Sequence, residues 1–221
     1  MKAERHRRGR RLIAATLSTF GALTLAGCTG LPFDQPPPQL FVLTPNSSFP
    51  DDLPKVEWQM TIDLPVASAS LNTSRIAVHR TAVSLDYYEG VAWADAAPKM
   101  VQTLLIESFE NSGRILGIGR QSATLRADYN LVTELRAFQA ELGHGGAPKI
   151  RVTVNAKLVR FPQRDIVAAT SSEAVLTARD GQIEDVVHAF DAALGTVLKE
   201  IVSWTLKAVS PQPPPPRLPP R

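Results

Sequence analysis

Hydrophobic and polar positions alternate most strictly in the middle of the chain. Residues 129–137 place Tyr129, Leu131, Thr133, Leu135 and Ala137 on one side of an extended segment. Asp128, Asn130, Glu134 and Arg136 fall on the other, where Val132 and Phe138 break the polarity. Residues 150–158 set Ile150, Val152, Val154, Ala156 and Leu158 against Arg151, Thr153, Asn155 and Lys157. A period of two marks a half-buried strand, because successive side chains of a strand point to opposite faces. A third strand follows over 164–178, through Ile166-Val167-Ala168 and Ala174-Val175-Leu176. The links between the three are short: Gly143-His144-Gly145-Gly146-Ala147-Pro148, then Phe161-Pro162-Gln163-Arg164-Asp165. Short links predict an antiparallel meander with one wet face.

The period then lengthens to that of a helix. Ile183, Val187, Phe190, Leu194, Val197, Ile201 and Trp204 (or Thr205) recur every three or four residues, and Val186 and Leu198 widen the stripe. This predicts a long amphipathic helix. Val101, Leu104, Leu105 and Phe109 predict an earlier one, with Asp95 as its N-cap, Pro98 in its first turn and Gly113 as its stop. Shorter runs predict strands near residues 40–43, 57–64, 75–80 and 115–118. Residues 85–93 read as two short strands turning at Glu89-Gly90. The expected fold is α+β: an antiparallel sheet of about six or seven strands with two helices packed on one face.

The two ends follow other rules. Lys2, Arg5, Arg7, Arg8, Arg10 and Arg11 precede an apolar run from Leu12 to Ala26. The run is shorter than the roughly 20 residues that span a bilayer, so it reads as a secretory signal. It closes on Leu25-Ala26-Gly27-Cys28, which holds the single cysteine of the chain. That order resembles the lipobox of bacterial lipoproteins. The resemblance implies cleavage before Cys28 and diacylation of its thiol, so that Cys28 carries a membrane anchor. Four regions are expected: a signal peptide over 1–27, a lipidated Pro-rich tether over 28–39, a domain over 40–208 and a Pro-rich tail over 209–221. Pro36-Pro37-Pro38 in the tether and Pro213 to Pro216 in the tail favour extended polyproline II.

Cleavage changes the reading of charge. Residues 1–27 hold six of the 24 Lys and Arg but one of the 21 Asp and Glu, which leaves 18 basic and 20 acidic residues beyond them. The basic balance belongs to the signal, and no nucleic-acid partner is expected. With Cys28 acylated, no disulfide can support the fold.

No catalytic constellation stands out. His79, His144 and His188 form neither a metal-ligand pair nor a set with a cysteine, and no G-x-S-x-G elbow is present. Gly117-Ile118-Gly119 lacks the third glycine and the following helix of a phosphate loop. The expectation is a non-enzyme without metal or cofactor.

The order of parts carries a further resemblance. It runs lipobox, tether, Phe41-Val42-Leu43, Leu64-Pro65, Arg75-Ile76-Ala77-Val78, Tyr87-Tyr88, Trp93, helix, meander and final helix. Over about residues 40–206 this resembles the ABC-type transport auxiliary lipoproteins, the family that includes paraquat-inducible protein C. Val66-Ala67-Ser68-Ala69 stands where a Tyr-Leu pair is more typical of that family. The resemblance implies a lipoprotein on the periplasmic leaflet of the outer membrane, and Thr29 after the cysteine agrees with outer-membrane sorting. It also implies a docking role beside an MCE-domain protein of an ABC transporter that moves phospholipids or other lipids between membranes. A second reading is a periplasmic lipid carrier or outer-membrane assembly lipoprotein. It would hold a lipid ligand in its own apolar cavity, lined by Phe109, Tyr129, Phe190 and Trp204.

Overall fold

A computed structural model describes residues 36–121, 126–143 and 146–209. The predicted signal peptide with its lipobox, Cys28 with most of the tether, His144 and the tail from residue 210 lie outside the described residues. The elements run β1 (Gln39–Phe41), β2 (Val56–Ile62), β3 (Val66–Ala67), β4 (Arg75–Thr81), β5 (Ser84–Trp93), α1 (Ala97–Ser112), β6 (Ile115–Arg120), β7 (Tyr129–Glu141), β8 (Lys149–Arg160), β9 (Asp165–Thr177) and α2 (Ile183–Ala208).

The sheet is organised around β7. Along one edge it pairs antiparallel with β8, from Tyr129 opposite Arg160 to Glu141 opposite Lys149. β8 pairs in the same sense with β9, which completes the expected meander. Along its other edge β7 takes three short strands in succession, all parallel to it. β2 pairs at Met60–Ile62, β3 at Val66–Ala67 and β4 at Ala77–His79. β6 then adds parallel to β2, β5 antiparallel to β4, and β1 parallel to β5. The sheet is therefore mixed and nine-stranded, where an antiparallel sheet of six or seven strands was expected. The physical reason is that a period of two reports which side of a strand is buried, and not the direction of its neighbour. Sequence-adjacent strands obey the hairpin rule, but the early short strands pair with segments far along the chain.

A bulge sets the phase of β7. Leu135 pairs with Val154 and Ala137 with Thr153, so Arg136 is the extra residue. An inserted residue flips the alternation beyond it. Leu131, Thr133 and Leu135 face the core before the bulge, and Phe138 and Ala140 face it afterwards. Phe138 broke the sequence pattern for this reason, and Ala137 changes sides. The expected turn at Glu89-Gly90 is likewise a bulge inside one continuous strand. Four residues, Tyr88 to Val91, separate the Tyr87–Ala77 and Ala92–Arg75 pairs, and Gly90 adopts a φ of 69° that glycine tolerates.

Both helices lie on one face. α2 packs on β8 and β9, and α1 packs on β6 and against α2. α1 begins after Ala96 instead of Asp95. The Asp95 carboxylate accepts the Ala96 N–H and pairs with Lys99 at 2.7 Å. Gly113, with φ 60°, ends the helix as expected and donates its N–H to the Glu110 carbonyl. α2 has Glu184 and Asp185 in its first turn and Lys207 in its last, which complements the helix dipole. No described helix is long and apolar enough to cross a membrane.

Between β1 and β2 the chain crosses the helix layer as a strap. Leu43 and Leu53 are buried in the core beneath it. The Thr44 N–H and hydroxyl both donate to the Asp191 carboxylate of α2, at 2.7 Å and 2.9–3.0 Å. The Asn46 N–H donates to Ser108 Oγ of α1, and Asn111 Nδ2 donates back to the Asn46 carbonyl. Lys207 at the end of α2 reaches Asp52 at 3.8 Å.

Candidate functional site

The four aromatic residues singled out from the sequence divide into two pairs. Phe109 and Phe190 are fully buried at 0% exposure. The Phe190 ring meets Trp93 and Phe138, each at a centroid distance of 5.1 Å, and Trp93 lies 5.6 Å from Phe138. These rings close on one another beneath α2, in the tilted and edge-on arrangements that aromatic quadrupoles favour. Tyr129 and Trp204 are half-buried at the rim of the core, and Tyr129 meets Trp58 edge-on at 5.1 Å. Sequence reasoning missed Trp93 and Phe138 as members of the central cluster. The signal for Phe138 was its break in the β7 alternation.

Two open depressions mark the end of the domain where α2 begins. One, of about 480 Å³, lies between the end of β9 and the start of α2 and is lined by Leu176, Ala178, Arg179, Asp185, His188 and Ala189. Arg179 and Asp185 pair across it at 2.7 Å. The other, of about 500 Å³, lies beside the β5 bulge against Val78, Arg80, Tyr88 and Pro148. Burial pushes the Tyr88 phenol above its ordinary pKa, and its hydroxyl has no hydrogen-bond partner. Neither depression is lined by Phe109, Tyr129, Phe190 or Trp204. His79 sits half-buried on β4, and His188 is exposed on α2. Among the described residues no group of His, Cys, Asp and Glu is placed to hold a metal.

The outer face of the sheet is polar and tied together. Arg151 bridges Glu141 and Glu173, both at 2.7 Å, and the Thr153 hydroxyl donates to Glu173. The hydrogen bond from Arg151 holds the Glu141 carboxyl below the usual range, against the opposing effect of burial. At the other edge of β7, Asn130 joins Thr61 and Asp63, accepting from the Thr61 hydroxyl and donating to the Asp63 carboxylate, each at 3.0 Å.

The lateral edges differ from these paired surfaces. β9 and β6 are each hydrogen-bonded to one neighbour only among the described strands. β9 carries Asp165 and Glu173, with a bulge at Val167. β6 reads Ile-Leu-Gly-Ile-Gly-Arg, and its Leu116 is 64% exposed. Gly117 lies under Gln59, whose Cγ is 3.3 Å from where a Cβ would stand. Among the described strands these two edges leave backbone N–H and C=O groups without a ladder partner.

The family described as ABC-type transport auxiliary lipoprotein component matches residues 41–202. The uncharacterized protein bll6063 of Bradyrhizobium diazoefficiens is 31% identical over 150 residues, covering 68% of this chain and 40% of that protein. The chain thus spans less than half the length of this curated relative. The crystal structure of protein XCC0632 from Xanthomonas campestris, of the DUF330 family, superposes with a TM-score of 0.73 at 28% identity. The match covers 77% of this chain and 95% of that one. A second solved structure, of an uncharacterized protein, shares the fold at a TM-score of 0.59 and 10% identity, over 79% of this chain and all of that one.

Proposed function

Because the chain belongs to the family of ABC-type transport auxiliary lipoprotein components, we propose that it is the non-catalytic docking lipoprotein of an ABC transporter that works with an MCE-domain substrate-binding protein in moving phospholipids between membranes. Cys28, released at the Leu25-Ala26-Gly27 lipobox, anchors it to the periplasmic leaflet of the outer membrane. The observation that carries the docking role is the closed aromatic core. Phe109 and Phe190 are wholly buried, and the central rings fill the space between sheet and α2. That filling supports a role exercised through surfaces over one exercised through an internal lipid pocket. The experiment is co-purification of the full chain from detergent extract. An MCE-domain protein and its transporter should be recovered with it, and their absence from a stable, correctly anchored preparation would sink the reading. In the same extract, Cys28→Ser should leave a folded domain in the soluble fraction.

A further inference from the structure

The β6 edge has features that its two rivals lack. Exposed strand edges are usually blunted by charges, prolines, bulges or shortness, because unpaired N–H and C=O groups template another strand. β1 is three residues long, and β9 has Asp165, Glu173 and a bulge. β6 carries no charge or proline between Ile115 and Gly119, and the irregularity in its ladder falls on β2, between Val56 and Gln59.

Its two sides are also unlike. Ile118 and Arg120 align with the buried residues Met60 and Ile62, which sets the even-numbered residues from Leu116 to Arg120 on the helix side, while Ile115, before the register shift, aligns with buried Val56. That side carries Leu116, Ile118 and Arg120, and Arg114 stands just before the strand, so two apolar residues are bracketed by cations. The opposite side has glycine at 117 and 119, aligned with Gln59 and Thr61. Glycine within a strand commonly marks close approach of another backbone. Neither cation is spent on a carboxylate among the described residues. Arg114 donates to the Asp51 carbonyl, and Arg120 donates to Gln102 Oε1 and Thr103 Oγ1.

We infer that the β6 edge binds an extended segment of a partner protein, which adds to the sheet as a tenth strand. The segment has acidic residues at its two ends on the helix side and apolar residues between them against Leu116 and Ile118. Main-chain hydrogen bonds supply adhesion, and the alternating side chains supply selectivity. A second copy of this chain paired edge to edge through β6 fits poorly: antiparallel pairing sets Arg114 against Arg120 of the other copy. The inference rests on the docking reading for the partner's identity, but its test does not need that partner.

The test uses the full-length chain in detergent and a fluorescein-labelled peptide, Asp-Thr-Val-Tyr-Val-Thr-Glu, with a twin whose acidic ends are replaced by lysines. The acidic peptide should bind saturably in an anisotropy titration and slow amide exchange at Leu116 to Gly119. Leu116→Asp should weaken it by about tenfold or more, through like charge and lost apolar contact. Combined Arg114→Glu and Arg120→Glu should reverse the preference in favour of the lysine twin. Val175→Lys on β9 should leave binding within about twofold. Each variant is first checked for an unchanged unfolding transition.

Several results would overturn the inference: no saturable binding by about 1 mM, equal binding of both peptides, or exchange protection at β9 in place of β6. It also falls if Leu116→Asp alters sedimentation of the chain alone without touching peptide binding, since the edge is then closed by a second copy. If peptide binding holds but no MCE-domain protein co-purifies, the docking partner is wrong and the edge site stands.

Discussion

β7 is filled in opposite ways along its two edges. On one side a single strand, β8, follows it immediately in sequence and matches it over its whole length. On the other, three fragments between Met60 and His79 share it end to end, each for two or three rungs. The first edge needs one hairpin closure. The second brings together segments about 60 to 70 residues apart, so loop-closure entropy must be met before any pair forms. The contrast separates the part of the domain built from local rules from the part held by tertiary packing and buried polar groups.

The largest expected effect comes from Phe190, because α2 covers the meander and its ring reaches the aromatic cluster. Phe190→Ala should cost about 3–5 kcal/mol in urea unfolding. A cost near zero would mean that the rings do not tie the helix layer to the sheet.

Next is Asn130, 4% exposed, which joins the edge of β7 to Thr61 and Asp63 of the early chain. Asn130→Ala leaves those groups without their partner and should cost about 1–3 kcal/mol. Amide exchange should quicken at Met60 to Ile62 more than at Ile150 to Leu158. Equal acceleration in both would erase the distinction between the two edges.

Arg151 tests the other side. Its side chain and that of Glu141 are about one-third exposed, so solvent screening keeps the loss for Arg151→Ala to about 1 kcal/mol or less. The sharper readout is pH. The folded-state pKa of Glu141 is lowered, first by the hydrogen bond from Arg151. Its contribution to stability is therefore present above the ordinary glutamate range and is lost as pH falls through the lowered value. The variant should show a shallower stability loss than the parent between about pH 5 and pH 3. An unchanged acid slope would remove Arg151 as the cause.

The smallest effect is expected at Val175, 40% exposed on the outer edge of the meander. Val175→Lys should stay within about 0.5 kcal/mol of the parent in the same urea measurement.

The two edges also differ in how far they could be read beforehand. The meander and both helices were legible, because burial on one side imprints a period directly on the residues. Ile150, Val152, Val154, Ala156 and Leu158 are all buried as that period requires. The parallel pairings were not legible, since nothing in Met60–Ile62 or Ala77–His79 encodes which distant strand lies beside it. The bulges were half legible. Phe138 announced one through its wrong parity, but Arg136 has no mark of its own. Gly90 was read as a turn because a turn and a bulge ask the same positive φ of the residue. The aromatic residues were recognised as apolar, yet only their tertiary neighbours separate wholly buried Phe109 and Phe190 from rim-placed Tyr129 and Trp204.

The strap from Val42 to Lys55 gives the domain a mechanical character. A pull along the axis of β1 would load its rungs to β5 together in shear instead of peeling them one by one. Behind β1, Thr44 grips α2 and Asn46 grips α1. The segment between β1 and β2 is thereby tied to both helices before it reaches the first residue of β2.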